Sequence, residues 1–479
     1  MNLPRYALLL SLLPGLAAAA DYPRHALPAS QVQEAVEASK DEPLRYAVAQ
    51  AINLHTPDGD WDNPAADIAR WRLGIESEGA ESLALRLEDL RLPAGSELRW
   101  IGEDSGDVQG PFGATDAGTL WLPVVRGSRA LLELRLPAAL KDQFGLRIAE
   151  AQHGYEGFRQ ATTAKGQFGR SSSCNVDVAC PAANGWRTQV RSVVLLTINN
   201  SAVCSGTLVN STGNTGSSQT PYILTANHCG FDQVTPSSIR AYFNVDRGGC
   251  GSGADGSISQ NVTVAEVVAR STTSDFALLR LNGSVAGFNV YFAGWDANGA
   301  TPASGVAIHH PAGDDKKISF YGNDTTKVDN VQIGSDSRKF TVDAWKVFWN
   351  LGTTQPGSSG SALWNQDGRV IGTLSGGGAA CSNGAPNGQP DYFGRLELAW
   401  SGTDKALGSS LQPYLAPGDT SIRSLGGLDL GTNPPPATDG PPVDEEEEDD
   451  GGGGGALPAS LLAGLAALLV LRRARRLRP

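Results

Sequence analysis

A serine, a histidine and an aspartate of this chain sit in segments that suit nucleophilic acyl transfer. Gln355 to Leu363 reads Gln-Pro-Gly-Ser-Ser-Gly-Ser-Ala-Leu. Gly357 lets the backbone fold back, so that the N–H groups of Gly357 and Ser359 can aim at one spot. Gly360 leaves room for a carbonyl to approach Ser359. Alone this is a weak signal, because the chain has 58 glycines and most Gly/Ser clusters are turns. A serine hydroxyl is a poor nucleophile near neutral pH. It needs an imidazole to take its proton and a carboxylate to orient that imidazole. Leu224-Thr-Ala-Asn-His-Cys-Gly ends an apolar run with His228, and Thr273-Ser-Asp-Phe-Ala-Leu-Leu places Asp275 at the head of another. Taken singly, His228 reads also as a core histidine, and Asp275 reads more simply as a turn cap before a strand. His309-His310-Pro311 reads as a structural turn.

The elements that must position these residues are strands. From Cys174 to about Gly418 the pattern is all-β. Candidate strands include Val193–Ile198, Tyr222–Ala226, Phe276–Leu281, Val306–His310, Ala362–Trp364, Val370–Leu374 and Leu396–Trp400. Short strands joined by Gly/Asn/Ser/Asp turns fit a double barrel or a sandwich. Asp404–Leu415 could form a closing helix. All six cysteines (Cys174, Cys180, Cys204, Cys229, Cys250 and Cys381) fall in this region, which suits a disulfide-bonded domain in an oxidising compartment. Spacing alone does not choose their pairing. No Cys-x-x-Cys zinc pattern occurs, and no metal or cofactor is expected.

The flanks are of other kinds. Residues 1–20 read as an export signal: Arg5, apolar Ala7–Leu16, then small Ala17–Ala20. Residues 21–165 lack cysteine. They open with a helix-compatible stretch, Ser30–Ala51, followed by alternating segments at 70–75, 82–87, 97–101, 120–125 and 130–136. That pattern predicts a small β-sandwich ending near residue 155. Gly154–Ser173 is a polar linker. The main folded region spans 166–420, and 421–455 is a Pro-, acid- and Gly-rich linker that cannot bury a core. In 456–479, apolar Ala456–Leu471 is short against the ~20 residues that usually span a bilayer, and Arg472–Arg478 should stay cytoplasmic. Net charge is −12, which argues against nucleic acid as partner. Nothing points to an oligomer, so a monomer is expected.

In their order, Thr225-Ala-Asn-His-Cys, Asp275-Phe-Ala-Leu-Leu and Gly357-Ser-Ser-Gly-Ser resemble the chymotrypsin-like serine peptidases, and Cys204-Ser-Gly-Thr-Leu-Val adds a fourth match. Ser173-Cys-Asn-Val-Asp-Val-Ala-Cys-Pro, Ala293-Gly-Trp-Asp, Ile308-His-His-Pro and Pro356-Gly-Ser-Ser-Gly-Ser narrow it. They resemble the bacterial lysyl endopeptidases, over roughly Cys174 to Leu415.

The resemblance implies an all-β, chymotrypsin-like double β-barrel preceded by a β-rich pro-domain. It implies His228 as general base, Asp275 as its orienting carboxylate and Ser359 as nucleophile. The oxyanion hole is then Gly357 and Ser359, and Ser375, Gly376 and Gly377 pair with the substrate backbone. The implied disulfides are Cys174–Cys381, Cys180–Cys250 and Cys204–Cys229. Asp391, shortly before Gly394-Arg395, best fills the place of the aspartate at the base of the primary pocket. That predicts protein or peptide substrates cut after lysine, with arginine as an alternative.

Two departures stand out. Ser375 replaces the family's histidine before Gly-Gly, and no counterpart is found for the tryptophan that stacks on it. Ser358 stands where trypsin-type enzymes carry the aspartate that binds a new N-terminus, so activation takes another route. Cleavage at Lys165-Gly166 by the enzyme itself, freeing it from its own pro-domain, is the expected one. The tail resembles the glycine-rich sorting signals of Gram-negative secreted proteins, which makes contact with the membrane transient; a permanent anchor is the alternative. The chain is thus expected to be secreted or held at the cell surface. Competing readings are a peptidase of other specificity and an inactive surface-binding protein on the same fold.

Overall fold

The computed structural model describes residues 22–430 apart from 40, 41, 43, 159–170, 232, 233, 323, 335–338 and 402–409. The expected export signal, Lys165-Gly166 and the apolar segment 456–471 lie outside the described residues. Among the described residues no helix is long and apolar enough to cross a membrane.

The N-terminal unit is a sandwich of a six-stranded and a five-stranded sheet. Strand Arg129–Pro137 shows how alternation builds it. Ala130, Leu132, Leu134 and Leu136 are fully buried, and they pack with Trp71 and Ile75 of their own sheet and with Leu85, Leu87 and Ile148 of the other. Each fully buried leucine contributes roughly 2 kcal/mol. The expected helix over 30–51 is a correction. Helix ends at Ser39, and Ala47–His55 is a strand antiparallel to Gly145–Gly154. Pro43 limits the helix, since a helical proline lacks an N–H and its ring would clash with the carbonyl four residues back, at Ser39. Gly145–Gly154 lies at the sheet's centre although its Ala, Glu and Gln are poor strand formers.

The next part opens with a closed barrel of Val193–Ile198, Ala202–Val209, Tyr222–Thr225, Phe276–Leu281, Asn261–Ser271 and Ile239–Phe243. Val193–Ile198 is buried along its whole length because both faces are covered. Val194 and Leu196 point into the barrel core, while Leu195 meets Tyr46 and Phe158 of the N-terminal unit. Val203 N–H also donates to Leu44 O (2.8 Å), and Tyr46 N–H donates to Ser201 O (2.8 Å). The second half is one eleven-stranded sheet, and the whole is an all-β, chymotrypsin-like fold.

Three details differ from expectation. Leu396–Ser401 is a short helix rather than a strand, because Leu396, Ala399 and Trp400 at helical spacing share one buried face. Trp400 packs on Trp295 with ring centroids 4.3 Å apart. Of the expected helix 404–415, Gln412–Leu415 is helical and 404–409 lie outside the described residues. The folded body also continues past residue 420. Ser424–Leu425 pairs with Trp295–Asp296, and Leu428–Asp429 pairs with Tyr291–Phe292.

Three disulfides close the barrel part: Cys174–Cys381, Cys180–Cys250 and Cys204–Cys229.

Candidate active site

His228 sits in the turn Asn227–Cys229 that follows strand Tyr222–Thr225, and Gly230 ends that turn in a left-handed conformation (φ 94°). Asp275, directly before strand Phe276–Leu281, is itself left-handed (φ 48°), which aspartate tolerates better than most residues. The adjacent pairing of the two strands brings these ends together. Asp275 Oδ1 accepts the His228 backbone N–H (2.9 Å), and Oδ2 lies 2.8 Å from Nδ1. An ionised carboxylate only accepts, so Nδ1 carries the proton and Nε2 is left as a base. Asp275 is buried while His228 is partly exposed, so solvent meets the imidazole and not the carboxylate. Phe340 stacks on the imidazole (centroids 5.3 Å apart, planes at 18°) and forms one wall of a cavity of about 310 Å³ with Thr272, Thr273 and Asp343.

The serine loop is bound to the barrel through Ser205. Ser205 N–H donates to Ser359 O (2.8 Å), and its Oγ donates to Gly357 O (2.9 Å). The same Oγ accepts His310 N–H (2.9 Å), and Ser205 O accepts Thr225 Oγ1–H (2.8 Å). Gly360 presses on the strand leading to His228, where a Cβ would lie 2.1 Å from Thr225 Oγ1 and 2.6 Å from Ala226 N. Cys204–Cys229 bridges the neighbours of Ser205 and His228. Among the described residues no hydrogen bond joins His228 to the Ser359 hydroxyl. Such bonds are often long before substrate binds and tighten in the complex.

Within the loop, Ser358, Gly360 and Ser361 donate their N–H groups to Gln355, Leu374 and Ser358 carbonyls. Among the described residues, the N–H groups of Gly357 and Ser359 have no acceptor. Two free donors two residues apart in one turn are what a developing oxyanion needs. Gly357 holds φ 93° with the His310 carbonyl 3.0 Å from where a Cβ would stand. The loop's back is braced by His309, whose Nδ1 meets Ser358 Oγ (2.7 Å) and whose Nε2 meets Ser319 Oγ (3.1 Å). Burial pushes the His309 pKa down to about 3, so this imidazole is a neutral strut.

Ser375, Gly376 and Gly377 end strand Val370–Gly377, antiparallel to Asp391–Arg395 with Gly377 opposite Asp391. The Asp391 carboxyl is buried. Trp349 Nε1–H and Thr354 Oγ1–H donate to Oδ2 at 2.7 and 2.6 Å, and Ala379 N–H reaches Oδ1 at 3.4 Å. Burial raises its pKa, and the three donors oppose that rise. Among the described residues no Lys or Arg pairs with it.

Sequence reasoning singled out His228, Asp275, Ser359 and Asp391, and it missed Ser205, Phe340, Trp349 and Thr354. Ser205 had a signal, since it follows Cys204 in the quoted motif. The other three had none, because each reaches its partner only across strands. Ser205→Ala strips Gly357 O and His310 N–H of their partner. Stability should fall by about 1–3 kcal/mol and kcat by up to ~10²-fold as the loop shifts. Urea unfolding and steady-state kinetics read the two effects; unchanged kcat would remove Ser205 from the loop's support.

Comparison with known proteins gives one family. Residues 168–394 match the lysyl endopeptidase C-terminal domain, and residues 22–154 match the lysyl endopeptidase N-terminal domain. The lysyl endopeptidase of Pseudomonas aeruginosa is 30% identical over 412 residues, covering 78% of this chain and 84% of that protein. Among solved structures, the active form of the Rv3671c protease from M. tuberculosis is 17% identical with a TM-score of 0.32, covering 48% of this chain and 91% of that one. The MamO protease domain from Magnetospirillum magneticum is 15% identical with a TM-score of 0.29, covering 44% and 95%.

Proposed function

Because the chain belongs to the lysyl endopeptidase family and is a serine endopeptidase, we propose that it is exported and hydrolyses peptide bonds on the carboxyl side of lysine. The observation that carries the specificity is Asp391, a buried carboxylate beneath an exposed glycine edge with neutral donors around it and no cationic partner among the described residues. A buried unpaired charge is costly, and a substrate ammonium relieves that cost.

In this mechanism, substrate backbone pairs with Ser375–Gly377 and its lysine enters above Asp391. Ser359 Oγ attacks the carbonyl as His228 Nε2 takes its proton, while Asp275 stabilises the imidazolium. The N–H groups of Gly357 and Ser359 hold the oxyanion; losing one such donor typically costs about 3–4 kcal/mol in the transition state. His228 then protonates the leaving amine, and water, activated by the same imidazole, releases the acyl group. Profiling cleavage of a mixed peptide library tests the reading: cuts clustered after lysine support it, and cuts spread over residue types end it.

The N-terminal sandwich acts as a pro-domain. Its contacts with the barrel through Leu44, Tyr46 and Phe158 lie on the outer face at Leu195, Val203 and Tyr242. The linker lysine, Lys165, makes self-cleavage before Gly166 the route to release. Lys165→Gln should leave the full-length species intact on gels while the wild type yields a mature form starting at Gly166. A mature start after Arg170 would exclude this site. Residues 1–20 direct export, and the tail 456–479 serves sorting to the surface or medium.

A further inference from the structure

We infer that Trp349 and Thr354 set lysine over arginine by saturating one oxygen of Asp391. This inference rests on the lysine reading above and adds the group that decides between the two basic side chains. A carboxylate oxygen offers two lone pairs in its plane. Both on Oδ2 are taken, one by Trp349 Nε1–H and one by Thr354 Oγ1–H. An indole N–H can only donate, so the first bond cannot reverse. The indole is also held in place, edge-on to Tyr321 and Phe393 with centroids 6.3 and 6.0 Å away.

Oδ1 is different. Its one protein donor is the Ala379 N–H at a long 3.4 Å. The side of Oδ1 toward Gly377 is kept clear by the missing side chain, since a Cβ on Gly377 would stand 2.4 Å from it. Gly377 itself is exposed. The site therefore presents one oxygen with a lone pair still open just under an exposed glycine. An ammonium is a point charge that one oxygen can hold. A guanidinium binds best as a planar fork on two parallel oxygens, and here the second is occupied. Arginine could dock only with one arm of its fork unmatched.

The test compares kcat/KM on paired lysyl and arginyl peptide substrates for the wild type, Thr354→Val, Thr354→Ser and Trp349→Phe. Thr354→Val keeps the shape and removes one donor from Oδ2. Arginyl cleavage should rise so that the lysine-to-arginine ratio falls roughly tenfold, about the worth of one charge-assisted hydrogen bond. Thr354→Ser keeps the hydroxyl and should keep the wild-type ratio. Trp349→Phe should lower the ratio too, which leaves the inference testable if one variant fails to fold. Active-site titration of Ser359 normalises each rate to folded enzyme. Ratios unchanged in both donor-deleting variants would overturn the inference while leaving the lysine reading intact. A wild type with no preference for lysine over neutral residues, or an Asp391→Asn variant that keeps it, would instead end the underlying reading.

Discussion

Ser359→Ala should lower kcat by roughly 10⁶-fold with little change in stability. The loop does not depend on this hydroxyl for its shape. Ser205 holds it through the main-chain carbonyls of Ser359 and Gly357, and His309 holds it through Ser358. The variant keeps the free N–H groups of positions 357 and 359, so some rate above that in water should persist. His228→Ala should lose nearly as much, and the double variant little more, because nucleophile and base act as a unit. Labelling by an active-site serine probe offers a second readout. A Ser359→Ala protein that still labels stoichiometrically would place the nucleophile elsewhere, with Ser361 the nearest alternative.

Asp391→Asn should lower kcat/KM on lysyl substrates by roughly 10²–10³-fold, as expected when one partner of a buried ion pair is removed. The amide oxygen can still accept from Trp349 and Thr354, which turns the amide NH₂ toward the incoming ammonium, donor against donor. The same residue sets a pH dependence. Burial raises the Asp391 pKa from its ordinary value, so the acid form appears at higher pH than in an exposed aspartate. As pH falls through that raised value the carboxylate is lost, and KM for lysyl substrates should climb. The sign for stability is opposite. A folded state with a raised carboxyl pKa favours the protonated form, so this group's contribution is fully present below the unfolded pKa and is lost as pH rises through the folded one. The ionised form of Asp391 weakens the fold relative to the protonated one, and Asp391→Asn should therefore raise Tm while lowering activity on lysyl substrates. A variant that loses both would mean that the carboxylate holds the pocket together instead of waiting for a cation.

Much of the architecture was legible because its signals are local. Period-two alternation marked strands such as Arg129–Pro137, and the run Val193–Ile198, apolar but for Thr197, reads as a strand that the structure covers on both faces. The identities of His228, Asp275 and Ser359 were equally legible, since each stands in a short segment with its own composition. What misled was local preference where burial opposed it. Gly145–Gly154 became a central strand because Leu146, Ile148 and Ala151 are buried in the core, whereas Leu396–Ser401 was misread by its period, since its Leu, Glu and Ala favour the helix it forms. Intrinsic propensities differ by about 1 kcal/mol or less per residue, less than the burial of one large side chain contributes. The pairings that shape the site, Ser205 with Gly357, Phe340 on His228, and Trp349 and Thr354 on Asp391, were decided only in three dimensions. Composition determines which side chains can donate, accept or stack; sheet register and chain closure decide which of them meet.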